Sequence, residues 1–168
     1  MKWSSRLPIL VAMFIGILPS HAYAFTRMNG EKPLHITLSV KKTVIRYGEF
    51  PRLELIVANV SNKKIKILDL RNRPDLQDNY GKVVYFKDGR RYHFRTAAIS
   101  DPGAIGDDDF IELSPNENVH MKLSDPPYDP KELRPGKYEV NLVYHSNPIE
   151  DTYSNSYQTK KVEFLVDK

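Results

Sequence analysis

The chain predicts an all-β fold, a two-sheet antiparallel sandwich of about seven or eight strands. Three observations predict it. Apolar and polar residues alternate with period two through much of the chain, turn-forming residues punctuate those runs, and no segment holds a helical period for three turns. Twelve prolines spread along 168 residues argue further against long helices.

Residues 1–24 read as a secretory signal. Lys2 and Arg6 precede an apolar run over residues 7–18, and Ala22-Tyr23-Ala24 closes it with a small-x-small signature, so cleavage is expected between Ala24 and Phe25. The run falls well short of the ~20 residues that span a bilayer as a helix. No cysteine follows it to carry a lipid. The expectation is a signal peptide, residues 1–24, and one sandwich domain, residues 25–168, that is periplasmic or secreted. The absence of cysteine also excludes thiol catalysis, disulfides and thiolate metal sites.

Strands follow in order. RLELIVANV (52–60) is apolar on both faces, which predicts a central strand covered on each side. Ile65 and Ile67 alternate with Lys64 and Lys66. KVVYF and RRYHFR flank Asp88-Gly89, a pair suited to the left-handed two-residue turn that matches strand twist, so residues 82–95 form a hairpin. Val119, Met121 and Leu123 point one way, as do Tyr138, Val140, Leu142 and Tyr144 and then Val162, Phe164 and Val166. Short helical turns are expected near residues 74–78 and 129–133. Ser61-Asn62, Ser114-Pro115-Asn116 and Arg134-Pro135-Gly136 mark further turns. Asn59-Val60-Ser61 spells a glycosylation acceptor at a predicted strand end, read as chance in a bacterial protein.

At ELRPGKYEVNLVY (132–144) the chain resembles the entry to a late strand of immunoglobulin-like and fibronectin type III-like domains. The resemblance implies that the Tyr138 hydroxyl ties the Pro135-Gly136 corner to nearby backbone. The wider layout, carried by LELIVANVS (53–61), DFIELSPNE (109–117) and PPYDPKELRPGKYEV (126–140), is similar to the immunoglobulin-like N-terminal domain of deuterolysin-type metallopeptidases and to bacterial proteinase-inhibitor domains. That resemblance implies an immunoglobulin-like scaffold. Peptidase activity does not come with it, because the chain has no His-Glu-x-x-His helix.

Charge is distributed unevenly. Residues 41–95 carry 14 Lys and Arg against 6 Asp and Glu, whereas residues 96–168 carry 7 against 14. The sharpest basic feature is KDGRRYHFR (87–95): with Tyr92 and Phe94 inward, Arg91, His93 and Arg95 project in a row ~7 Å apart. Lys63, Lys64 and Lys66 are expected on a neighbouring strand. Such a face suits an acidic protein edge, phosphates or an acidic polysaccharide; the bland alternative is an edge strand studded with cations against aggregation. Nucleic acid is discounted as a partner in the envelope.

Two connections are long, residues 70–81 and 96–109, and such loops carry function or motion. Asp107, Asp108 and Asp109 end the second; they are weak candidates for a calcium ion, because they lack the alternating spacing of a helix-loop-helix site. A solvated loop is the simpler reading. His35, His93, His120 and His145 lack the spacing of paired ligands, and His120-Met121 fails as a copper pair because adjacent strand residues face opposite ways. No cofactor and no catalytic residue is indicated. The function expected is a non-enzymatic binding module of the bacterial envelope that inhibits or shields another exported protein such as a protease. The alternatives are a small metal-dependent hydrolase using the 96–109 loop and a structural component of a surface assembly.

Overall fold

The computed structural model describes residues 32–95, 103–148 and 156–168. The signal segment, with its Ala24 and Phe25 junction, and the first part of the 96–109 connection lie outside them.

The strands in chain order are β1 (Leu34–Val40), β2 (Val44–Arg46), β3 (Leu53–Asn59), β4 (Ile65–Leu68), β5 (Gly81–Lys87), β6 (Arg90–Arg91), β7 (Phe110–Leu113), β8 (Asn118–Lys122), β9 (Gly136–His145), β10 (Ser156–Gln158) and β11 (Val162–Asp167). One helix, α1 (Pro74–Tyr80), precedes β5, and single 3₁₀ turns occupy Asp107–Asp109 and Pro130–Glu132. Both expected helical turns are present. α1 starts on Pro74, whose missing N–H costs nothing in a first turn.

The sheets run β1-β3-β8 and β2-β11-β9-β5-β6, with β10 added to β9 and a separate β4-β7 pair. The fold is an all-β sandwich. Every pairing is antiparallel except β2 with β11, which is parallel. This departs from a purely antiparallel expectation: three residues after β1 the chain is already in the other sheet, where it lines the edge of β11.

Alternation builds the core. Tyr138, Val140, Leu142 and Tyr144 of β9 are at most 1 % exposed, and they meet Leu55 and Val57 of β3, Met121 of β8 and Phe164 of β11 in one buried cluster. Each such side chain contributes about 1.5–3 kcal/mol on leaving water. β3 is central in its sheet, as its two-faced apolar sequence requires, with Glu54, Ile56 and Ala58 half-buried on its other side.

Asn59 ends β3 fully buried, so the acceptor sequence there is a structural element of the fold. Its amide donates to the carbonyls of Lys63, Leu113 and Ser114 at 2.7, 2.9 and 3.1 Å. Its Oδ1 accepts from the Ser61 amide and hydroxyl at 2.9 and 2.7 Å. One side chain thereby joins the end of β3, the turn into β4 and the end of β7.

The Tyr138 hydroxyl donates to the Arg134 carbonyl at 2.9 Å across the turn that Gly136 opens with φ of +142°. Tyr138→Phe removes this bond and the one the hydroxyl accepts from Lys87 Nζ at 3.2 Å, and is expected to cost about 1–2 kcal/mol. Urea unfolding checks it; an unchanged midpoint would show that the tie contributes nothing.

Candidate binding cleft

The 82–95 hairpin turns at Asp88 and Gly89, with φ of 52° and 74°, both in the left-handed region that this turn needs. Pairing then stops early. Phe86 pairs with Arg91 and Lys87 with Arg90, the Tyr92 amide donates to the Tyr85 carbonyl at 2.8 Å, and among the described residues nothing further pairs with β5 on that side. The cause lies in Tyr92 and Phe94. The Tyr92 hydroxyl donates to the Glu132 carbonyl at 2.5 Å, and the Phe94 ring stacks on Tyr128 with centroids 4.3 Å apart, which draws the chain away from β5.

The divergence leaves a cleft of about 420 Å³ between α1, the first half of β5, residues 91–94 and the Pro126-Pro127-Tyr128 loop. Its walls are tied together. Buried Gln77 of α1 accepts from the Ser124 amide at 2.7 Å and donates to the Ser124 carbonyl at 3.0 Å, pinning the segment before the prolines to the helix. The Arg95 amide donates to the Glu132 carboxylate at 2.7 Å. Tyr85, 2 % exposed, lines the cleft and meets Phe94 edge-on at 5.2 Å. Among the described residues its buried hydroxyl has no hydrogen-bond partner. Burial first, then the nearby Asp125 and Tyr128, pushes that phenol far above its ordinary pKa, so it stays a proton donor.

Among the sequence-predicted residues, Arg91 and His93 line this cleft, and both are exposed. Arg95 is exposed but does not line it. Lys63, Lys64 and Lys66 are not neighbours of β6 in the sheet, which corrects the expectation from sequence. They lie at or before β4, whose partner is β7, where Lys64 meets Glu112 at 3.5 Å and Lys66 meets Asp107 at 2.7 Å. Cations of the basic half are thus answered by acids of the later half across the β4-β7 pair.

The three aspartates do not converge. Asp107 is held by Lys66, whose hydrogen bond keeps its carboxyl below the usual range. Asp109 accepts from Arg73 at 2.8 Å and from the Gly106 amide at 2.9 Å, while Asp108 is exposed. Among the described residues no three His, Asp or Glu gather as a metal site would require. His120 lies 3.4 Å from Glu54 across β8 and β3, and Met121 is in the core. A larger groove of about 820 Å³ runs between β1 and the β10-β11 segment. Two of its cations are already engaged: Lys32 donates to the Ser156 carbonyl, and Lys161 meets Glu139 at 2.8 Å.

The cleft draws on residues 77–85, 91–94 and 126–128, so no local spacing announces it. The only sequence signals were the Asp88-Gly89 turn and the cations that follow. No helix among the described residues is long and apolar enough to cross a membrane.

No family model and no curated protein sequence matches the chain. Among solved structures it is similar to the CARDB domain of the PF1109 protein from Pyrococcus furiosus, crystallised with di-metal ions, at 14% identity and a TM-score of 0.38, covering 80% of this chain and 87% of that one. The solution structure of the same domain gives 14% and 0.36, with coverage of 80% and 96%. The alkylpurine DNA glycosylase AlkC of Pseudomonas fluorescens, bound to DNA containing an abasic site analog, gives 14% and 0.40, with coverage of 81% of this chain and 31% of that one. At such scores none of these structures bears on what this chain binds.

Proposed function

We propose that the chain is an exported, non-enzymatic binding module of the bacterial envelope, and that it holds another exported protein at the cleft between α1, β5, residues 91–94 and the 126–128 loop. The observation that carries this reading is the cleft's composition. An aromatic wall of Phe94 and Tyr128, the buried Tyr85 beside it, and two exposed rim residues, Arg91 and His93, stand together in one concave place. The partner class we favour is a protease that the module inhibits or shields, a reading supported by the resemblance of residues 53–61, 109–117 and 126–140 to bacterial proteinase-inhibitor domains.

A photo-crosslinking residue at position 93 of the full chain, expressed in a bacterium that exports it, tests the reading. A discrete adduct with one exported protein is expected from position 93. None is expected from position 46, on β2 at the opposite edge of the larger sheet. Purified chain should also slow that partner's proteolysis. Equal labelling from both positions, or none from either, would sink the proposal.

A further inference from the structure

The backbone of β5 carries a gap at this cleft. In an antiparallel ladder the N–H and C=O of one residue point to the same side, and successive residues alternate sides. The Tyr85 carbonyl accepts from Tyr92, so the odd-numbered residues of β5 face away from β9. The Gly81 amide obeys the same parity: it caps α1 by donating to the Gln77 carbonyl. Between these two ties lie the Val83 amide, the Val83 carbonyl and the Tyr85 amide, all aimed at the cleft. Among the described residues no backbone or side-chain hydrogen bond engages any of the three. Had β6 continued past Arg91, it would have used them.

We propose that an extended acidic segment of the partner adds to this edge of β5 as a short antiparallel strand, in the place that the chain vacates after Arg91. The inference rests on the binding reading and names the form of the bound partner. Strand addition supplies the main-chain acceptors and donor that Val83 and Tyr85 lack. A cleft of about 420 Å³ holds roughly three or four residues at ordinary packing density, which matches the length of the gap. The stacked Phe94 and Tyr128 form one flank and α1 the other.

Charge selects the segment. Lys82, Arg91 and His93 line the cleft against one acid there, Asp78, with Asp125 close by. Carboxylates at alternate positions of an added strand would sit beside Arg91 and His93. Unlike Arg73 or Lys66, neither Arg91 nor His93 has an ion pair within the described residues.

The test uses the isotopically labelled chain and a blocked hexapeptide that alternates glutamate with valine. Two controls accompany it: a twin with lysine for glutamate, and a twin N-methylated at alternate backbone nitrogens. Titration to millimolar peptide should slow amide exchange at Val83 and Tyr85 at least tenfold while leaving Leu55 and Val140 unchanged. The lysine twin should bind at least tenfold more weakly, and the N-methylated twin should leave exchange unaltered. In the variant R91E/H93E the preference between glutamate and lysine peptides should invert. Binding without slowing at Val83 and Tyr85 would overturn strand addition while leaving the cleft in use, whereas absence of the position-93 adduct addresses the binding reading itself. No binding of the acidic peptide, or protection that arises from self-association without peptide, would also overturn the inference.

Discussion

Asn59→Ala is expected to lower the free energy of unfolding by about 3 kcal/mol, the largest effect of any single polar substitution proposed for this chain. The alanine removes the donor to three carbonyls, of Lys63, Leu113 and Ser114, and the acceptor for Ser61. Water reaches the Leu113 carbonyl and Ser61 poorly, because Asn59 is 0% exposed and Ser61 and Leu113 are buried around it, whereas Lys63 and Ser114 lie at the exposed side of the network. Unsatisfied buried groups cost about 1–3 kcal/mol each, and partial relaxation of the turn at residues 61–63 offsets some of the sum. The Asn59 main chain also donates to Glu117 and accepts from Asn116, each at 2.9 Å, so the damage reaches the β7-β8 turn. With a urea m-value of roughly 2 kcal/mol/M the midpoint should fall by about 1.5 M. A shift below about 0.3 M would show that the network is not holding these elements.

Asn59→Asp sharpens the point through pH. A carboxylate aimed at three carbonyls has no protons to give them, and burial raises its pKa in the folded state above the unfolded value of about 3.9. A raised folded pKa means that the variant's deficit is smallest below pH ~4 and grows as pH rises through the folded value. Relative to the parent chain, then, the variant should lose stability between acidic and neutral pH. A pH-independent deficit would mean that the site is wetter than its burial indicates.

Much of this fold was legible because each strand shows its core face without competition. β9 buries Tyr138, Val140, Leu142 and Tyr144 on one face, with Asn141 of the other face buried as well, and the Asp88-Gly89 turn fixes its own handedness. The helical turns at residues 74–80 and 130–132 followed from prolines that fit a first turn. What escaped was pairing decided at long range. Tyr92 and Phe94 alternate in burial as a strand would, yet their rings answer to Glu132, Tyr128 and Tyr138 and leave the first half of one edge of β5 without a partner strand among the described residues. The lysines near β4 looked like companions of Arg91, but β7 supplies Glu112 opposite Lys66, and the adjoining turn brings Asp107. No period in the sequence encodes which strand lies beside which. The same holds for the Gln77 bridge to Ser124, a single amide that orders one wall of the cleft from 47 residues away.

Gly81→Ala is expected to destabilise the chain by about 1 kcal/mol net and to loosen the cleft at the same time. The backbone at Gly81, with φ of −124°, is open to any residue, so the penalty is steric. A methyl group there would stand 2.5 Å from Leu70 Cδ1 and 3.3 Å from the Gln77 carbonyl oxygen. Leu70 is 1% exposed, which leaves its terminal methyl little room to swing, and the Gln77 carbonyl is fixed because it accepts the Gly81 amide that ends α1. Overpacking of this kind costs about 1–3 kcal/mol, against which the lost backbone freedom of glycine in the unfolded chain returns about 0.4–1 kcal/mol. The strain is relieved most cheaply by moving α1, and α1 carries Gln77. Amide exchange at Ser124 should therefore quicken more than exchange at core positions such as Leu55, and the cleft should bind the acidic peptide several-fold less well. A variant as stable as its parent would show that Leu70 repacks freely. A destabilised variant with Ser124 still protected would show that the Gln77 bridge does not depend on the close approach of helix and strand.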